Sequence, residues 1–524
     1  MISLEERERS NMFCKTYCAA VHGIDGLIVQ VEADVSDGLP CFDMVGYLAA
    51  EVREAKERVR IALKNSKFHL PPKHITINLS PADIRKEGTA FDFPIAIAIL
   101  AASGYIPQSN LNDVLFVGEL SLNGELGRVN GVLPIVYSAF KQGFKTCLVP
   151  IENVKEGAVV EGIEVIGISC LSQAVEYLNG ERLIEPGYVD IDCLFDQSHK
   201  ECDVDFSDLV GQQLVKRAVE IAVSGMHNIC IIGPPGAGKT MIARRIPSIM
   251  PDLTFEESMD ISKVYSIAGL LSNDNVLVQS RPFRSPHHTI TPVALTGGGR
   301  MPRPGEISLA SGGVLFLDEL PEFKKDTLEV LRQPMEDKKV TIARLNYTFQ
   351  YPTNFMLVSS MNPCSCGYYP DRNRCNCSLS QVKRYLGKIS KPLLDRIDIY
   401  IEAMQIEYNE LIQENIEESS STIRVRVMKA REIQLNRFRK ESIHFNSELS
   451  SKLIEKYCSL DEEETKIIEH AYRKFNLSVR GYHRILKVAR TIADLDGSEK
   501  IMLKHLTEAI GYRSIDQKYW GGVR

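Results

Sequence analysis

An α/β architecture in several domains is what this sequence predicts, and three observations carry it. The chain has 524 residues, more than one hydrophobic core organises. Asn228 to Ile232 (N-I-C-I-I) reads as a short buried strand, followed by a glycine-rich turn and, over Met241 to Ile246, the start of a helix. Further on, Gly312 to Glu319 (G-G-V-L-F-L-D-E) reads as an apolar strand ending in two acids.

Composition narrows the class. Hydrophobic residues make up 44% and charged residues 25%, the proportions of a globular protein. Lys and Arg number 62 against 68 Asp and Glu, a net charge of −6, so any grip on nucleic acid must be local. No apolar run has membrane-spanning length; the longest, Phe93 to Ser103, is too short. Met1 to Asn11 is charged and lacks the apolar core of a signal peptide. The 13 cysteines are mostly scattered singly among apolar residues, as expected of reduced thiols in cytoplasm.

Ile28 to Asp34 and His74 to Leu79 alternate like half-buried strands, and Val114 to Leu120 and Thr146 to Val149 read as strands. Val52 to Ser66, Phe93 to Ala102 and Val132 to Gln142 read as helices, the second fully buried. Residues 183–205, with Pro186, Gly187 and a run of acids, read as a linker. Asp205 to Gln212 leads into a helix ending at Ser224. Asp252 to Gly313 has no strong periodicity and reads as a loop-rich stretch presenting Arg300 and Arg303; its paired His287 and His288 have no third metal ligand at suitable spacing. Leu328 to Met335 reads as helix, Val340 to Tyr351 as a hairpin with Arg344, Leu345 and Asn346 near its tip, and Phe355 to Ser360 and Ile399 to Glu402 as strands. From Tyr408 to about Arg513 the pattern is helical, which predicts a C-terminal lid.

Gly233-Pro234-Pro235-Gly236-Ala237-Gly238-Lys239-Thr240 fits G-x-x-x-x-G-K-[ST] at every fixed position and lies between a strand and a helix, the context this motif requires. The glycines turn backbone N–H groups onto phosphate oxygens, and the helix start at Met241 adds its positive end. Lys239 would neutralise the β- and γ-phosphates of ATP and Thr240 would hold Mg²⁺. Val210 and Gly211 lie where phosphate-loop ATPases of the AAA+ type cover the adenine. Asp318 would help hold Mg²⁺ and Glu319 would polarise the attacking water. Asn362, after a buried strand, would orient that water or only bond its own backbone. Arg396 would serve as an arginine finger for a neighbouring subunit, or as a surface salt bridge with Asp395 or Asp398. Arg480, at a helix start, would touch the γ-phosphate or stay solvated.

Cys364, Cys366, Cys375 and Cys377 form C-x-C-x8-C-x-C. Four thiolates suit structural Zn²⁺ and leave no open position for catalysis. A metal would order a polar loop that has no apolar core of its own; a redox-labile pair and four reduced thiols are the alternatives.

The combination S-P-H-H-T at Ser285, G-G-V-L-F-L-D-E at Gly312, S-M-N-P-C at Ser360, L-L-D-R-I-D at Leu393 and S-V-R-G-Y-H-R-I-L-K-V-A-R-T-I-A-D-L at Ser478 resembles the YifB/ComM family of magnesium-chelatase-like AAA+ ATPases. G-I-D-G at Gly23, D-G-L-P-C-F at Asp37, I-N-L-S-P-A-D-I-R-K-E-G at Ile77 and F-D-F-P-I-A at Phe91 fit the same family. The resemblance implies a Lon-protease-like domain over residues 12–182, the linker over 183–205, an AAA+ core over 206–403 and the helical lid over 404–516. It implies Lys239 and Thr240 as Walker A, Asp318 and Glu319 as Walker B, Asn362 as first sensor, Arg396 as arginine finger and Arg480 as second sensor, in a homo-hexameric ring. It further implies a DNA branch-migration motor acting on recombination intermediates in natural transformation, with Arg300, Arg303 and Arg344 facing a pore.

Two segments depart from the Lon-like pattern. Lys86 to Asp92 offers no serine and Gly131 to Pro134 no lysine, so a binding or assembly role is expected in place of a Ser-Lys peptidase. Residues 1–11 precede the family-like start, and Gly46 to Ala50 (G-Y-L-A-A) replaces the expected Gly-Leu-Pro-Asp. A magnesium-chelatase motor subunit and an ATP-dependent protein-remodelling machine are the rival functions.

Overall fold

A computed structural model of the chain describes residues 13–198, 204–272, 274–299, 302–344, 347–406 and 417–521. They form two compact units. One takes in the chain up to Asp196 together with Ser258–Val278 and Thr341–Tyr351; the other holds the remainder.

The first unit is built on a seven-stranded mixed sheet. Its strands are β1 (Phe13–His22), β2 (Asp25–Ser36), β3 (Cys41–Val45), β4 (His74–Ser80), β5 (Val114–Phe116), β6 (Thr146–Pro150) and β7 (Glu164–Ile168), in the order β3-β4-β2-β1-β5-β6-β7. β1 and β2 form an antiparallel hairpin from Phe13↔Asp34 to His22↔Asp25, and Gly23 takes the turn at φ 66°. Helix Asp92–Ala102 is buried along its whole length, as its unbroken apolar sequence requires. Helices Ala50–Asn65 and Val132–Lys141 lie where the periodicity puts them.

Residues 252–313 contain a helix that periodicity did not reveal, Phe255–Ala268. Its buried residues mix Met259, Ile261, Val264 and Ile267 with Ser258, Ser262, Lys263 and Ser266. Ser258 Oγ donates to Val278 O at 2.6 Å, Ser262 Oγ accepts from Val278 N at 2.8 Å, and Ser266 Oγ donates to Glu156 Oε1 at 2.5 Å. Met259, Leu271, Val276 and Leu277 share a core with Val132, Val136 and Val165. The expected linker also contains structure. Helix Ile191–Ser198 lies within it, and Val189, Leu194 and Phe195 pack against the same core.

The second unit has a five-stranded, wholly parallel sheet: β8 (Ile229–Ile232), β9 (Phe283–Arg284), β10 (Val314–Leu317), β11 (Met356–Met361) and β12 (Ile399–Glu402), in the order β9-β10-β11-β8-β12. β8, β10 and β11 are buried at every residue, as strands covered on both faces must be. Among the described residues the helices Ser420–Phe438, Ser451–Tyr457, Glu462–Lys474, Val479–Leu495 and Leu503–Trp520 follow. Their apolar faces join one continuous core with the sheet, in which Ile423, Val427, Ile485 and Leu506 are packed together with Ile229, Phe316 and Val358.

A buried polar hub fastens these helices to the sheet. Asp398 is 7% exposed. It pairs with Arg484 of helix Val479–Leu495, accepts from Asn228 N at 3.0 Å and lies 3.6 Å from His227 Nδ1. His227 Nε2 meets Thr491 Oγ1 of the same helix at 2.7 Å. Burial works against the Asp398 charge, but Arg484 and the His227 ring outweigh it and hold the carboxyl well below its ordinary range.

A depressed carboxyl contributes stability above its unfolded pKa of about 3.9 and loses it as pH falls through the lower folded value. Asp398→Asn is therefore expected to cost about 3 kcal/mol at neutral pH, by leaving Arg484 without its buried partner. The difference from wild type should shrink below roughly pH 4; denaturant melts across pH measure it.

Candidate functional site

Three strand ends converge. In the parallel sheet β10, β11 and β8 are neighbours, so the residues following each emerge side by side at the carboxyl edge, where open α/β sheets place their ligands. Gly233 to Gly238 follow β8, Asp318 follows β10 and Asn362 follows β11.

The glycine-rich turn needs its glycines for two different reasons. Gly236 and Gly238 have φ 78° and 75°, with open space where a Cβ would stand; the constraint is the left-handed backbone. At Gly233 the constraint is space, because a Cβ would fall 2.4 Å from Ala403 O. Helix Lys239–Ile249 starts at Gly238 without a side-chain cap, so its first N–H groups face the turn. Met241, in the first turn, is 49% exposed.

Lys239 Nζ donates to Gly233 O at 2.8 Å, Pro234 O at 2.9 Å and Asn362 Oδ1 at 3.1 Å. Burial pushes its pKa down, against the pull of Asp318 and Glu319. Thr240 Oγ1 donates to Asp318 Oδ2 at 2.8 Å, and Ser360 Oγ donates to Asp318 Oδ1. Thr240 and Asp318 thus offer hard oxygen donors side by side, the donor chemistry that suits Mg²⁺. Glu319 sits at φ 54° with its carboxylate 3.8 Å from His288 Nδ1. The structure therefore brings Lys239, Thr240, Asp318 and Asn362 into one bonded cluster. Val210 and Gly211 lie just before helix Gln213–Gly225. Gly211 N donates to Glu417 Oε1 at 2.7 Å, and Lys216 Nζ reaches Glu417 Oε2 at 2.6 Å.

Arg396 and Arg480 stand apart from that cluster and meet each other's partner. Arg396 is 6% exposed; Nε donates to Arg332 O at 3.0 Å, Nη1 to Pro392 O at 2.6 Å, and Nη2 lies 2.7 Å from Glu336 Oε1. Arg480 Nη2 lies 3.6 Å from the same Glu336 oxygen, with its side chain 61% exposed. The surface pairing of Arg396 with Asp395 or Asp398 is not what forms: Asp395 faces Arg513 and Asp398 faces Arg484.

The four cysteines converge as their spacing implied. All four sulfurs lie within 4.8 Å of one another, with Cys364–Cys366 at 3.3 Å, Cys366–Cys375 at 3.6 Å and Cys364–Cys375 at 3.8 Å. Tetrahedral Zn–S bonds of about 2.3 Å put sulfurs about 3.8 Å apart, so the residues fit the metal. Their loop leans on the phosphate loop. A Cβ on Gly367 would fall 2.4 Å from Pro235 Cδ, and Arg374 holds Gln405, whose Nε2 donates to Pro235 O at 3.1 Å. The other group of metal-type ligands among the described residues, Cys41, Asp43 and His74, includes neither His287 nor His288.

Arg303 is exposed at a two-stranded ribbon with Gly297–Gly298. Arg300, Leu345 and Asn346 lie outside the described residues. The hairpin Lys339–Arg344 and Tyr347–Pro352 has most of its length in the first unit, where Phe349 meets His22 with ring centroids 4.9 Å apart. Lys86, in the segment lacking a serine, is buried and donates to Ile84 O at 2.8 Å.

Comparison with known proteins gives the family. Residues 205–411 match the family model described as magnesium chelatase, subunit ChlI; residues 31–153 match a second ChlI model and residues 417–513 the model of the ChlI C-terminal part. The chain is 42% identical to competence protein ComM of Haemophilus influenzae, over 95% of its own length and 97% of that protein's. The chain belongs to the YifB/ComM family of magnesium-chelatase-like AAA+ proteins. Within that family it is 41% identical to YifB of Escherichia coli, over 95% of its own length and 96% of that protein's. A more distant relative is DNA repair protein RadA of Halalkalibacterium halodurans, 28% identical over 34% of this chain and 38% of RadA. ATP and Mg²⁺ are the ligands this family implies. Among the described residues no helix is long and apolar enough to cross a membrane.

Sequence reasoning missed Ser360, Glu336, Glu417 and Gln405. Ser360 alone had a visible signal, its place two residues before Asn362.

Gly367→Ala is expected to displace the phosphate loop, because φ 89° and Pro235 both oppose a side chain. A strain of about 1–2 kcal/mol corresponds to roughly tenfold weaker nucleotide binding, measured with a fluorescent ATP analogue; unchanged affinity would refute the contact's importance.

Proposed function

We propose that this chain is the subunit of an ATP-hydrolysing ring motor that acts on DNA, moving branched recombination intermediates during natural transformation. One observation carries it: Lys239 bonds Asn362 and Thr240 bonds Asp318 within one chain, with Glu319 next in sequence, while Arg396 and Arg480 converge on Glu336. That split supports a site shared between subunits of a homo-hexamer, in which a neighbour's γ-phosphate competes with Glu336 for both arginines. Both arginines must leave Glu336, the more exposed Arg480 from the longer contact.

The roles follow from the chemistry. The turn Gly233 to Thr240 and Met241 cradle the phosphates, Lys239 neutralises them, and Val210 and Gly211 cover the adenine. Thr240 and Asp318 hold Mg²⁺, which when bound neutralises charge between the phosphate oxygens. Glu319 polarises water and Asn362 orients it. Cys364, Cys366, Cys375 and Cys377 hold structural Zn²⁺, bracing the loop behind Pro235. DNA as the load is supported by the names of two relatives, a competence protein and a DNA repair protein, and by exposed Arg303. We assign residues 12–182 a Lon-like fold with a binding or assembly role, residues 404–516 the role of lid, and the ring a cytoplasmic location.

The family models, named for a magnesium-chelatase subunit, favour a second reading, a motor for metal insertion. Hydrolysis measured with and without single-stranded and four-way-junction DNA separates the two. DNA is expected to raise the rate and ATP to drive junction movement, both lost in Lys239→Ala. Intact hydrolysis with no DNA binding or stimulation contradicts the DNA reading. Metal analysis of purified protein should find about one zinc per chain; a content far below that contradicts the zinc site.

A further inference from the structure

The S-P-H-H-T turn has no part in the roles above, yet it reaches the carboxylate on which hydrolysis would depend. His288 Nδ1 lies 3.8 Å from Glu319 Oε2. Asp318 is pinned from two sides, by Thr240 and Ser360, whereas the Glu319 side chain is 58% exposed. A carboxylate that activates water must keep one orientation, and burial does not supply it here.

His288 is the better-anchored partner. Its ring lies tilted against His287 with centroids 4.0 Å apart and meets buried Phe323 edge-on at 6.4 Å. Ile290 N donates to His287 O at 2.9 Å, closing the turn, and Thr327 Oγ1 donates to Ile290 O at 3.3 Å. Phe323 and Thr327 belong to the segment that leaves Glu319, so turn and carboxylate are built on one support. Arg284 and Glu306 clamp the two ends of the loop with a pair of 2.7 Å bonds.

We propose that His288 is a positioning residue for Glu319, its ring N–H closing from 3.8 Å to hold the carboxylate in the orientation that activates the attacking water of ATP hydrolysis. This rests on the nucleotide-site reading above. It gives the otherwise unassigned histidine pair a function and ties the loop carrying Arg303 to the chemistry.

The test is hydrolysis by the full chain without DNA, with nucleotide affinity measured separately. His288→Ala should lower kcat about tenfold and leave ATP affinity unchanged. His288→Asn, which keeps an N–H near the Nδ1 position, should recover most of the rate. In a Glu319→Gln background, His288→Ala should cost nothing further, because its partner is already disabled. An unchanged kcat in His288→Ala, a loss that Asn does not restore, or a full additional loss in the Glu319→Gln background would overturn the proposal while leaving the nucleotide site standing. Full-rate hydrolysis by Glu319→Gln alone would overturn the site reading and this inference with it.

Discussion

Everything in the nucleotide site hangs on the carboxylate of Asp318. It ends β10, receives Thr240 from the helix after β8 and Ser360 from β11, and so ties three adjacent strand ends together. The tie is possible because the strands are parallel and neighbours, which brings their carboxyl ends to one edge. Lys239 closes the arrangement by bonding the turn's own carbonyls and Asn362. The cluster is polar and partly desolvated; bound phosphate oxygens would replace the carbonyls around an ammonium already poised to receive negative charge.

The arginines obey a different constraint. Arg396 and Arg480 share Glu336, and the backbone carrying Arg396 is fixed from behind by Asn228, whose Nδ2 donates to Arg396 O at 2.9 Å. Asn228 also donates to Asp398, and Asp398 holds Arg484, one helical turn beyond Arg480. The strand that leads into the phosphate loop, the loop that carries one arginine and the helix that carries the other are therefore mechanically joined through Asp398.

Much of this was legible in the chain because the signals are local. The glycine pattern, the apolar strand ending in Asp318-Glu319 and the buried strand before Asn362 each declare themselves within ten residues, and sheet neighbours then do the assembling. What was not legible depends on contacts distant in sequence. Helix Phe255–Ala268 escaped because Ser258, Ser262 and Ser266 interrupt its buried apolar residues and blur the hydrophobic period. Glu417 and Glu336 look like ordinary surface acids until their partners are known. The four cysteines could be read as a cluster, but not as a brace on Pro235. Arg396 was expected as an arginine finger, and its burial to 6% exposure among Glu336, Arg332 O and Pro392 O depends on residues far away in the chain.

The central claim is that the phosphate loop of one subunit is completed by Arg480, with Arg396, of another. Mixing two inactive chains tests it most directly. Lys239→Ala lacks the phosphate grip and Arg480→Ala lacks an exposed arginine that the core does not need for folding. If the site is shared, an equimolar mixture should recover roughly a quarter of the wild-type rate, since about one interface in four then joins an intact loop to an intact arginine. A mixture as inactive as its two components, with assembly intact, would mean that each chain completes its own site, and would contradict the account.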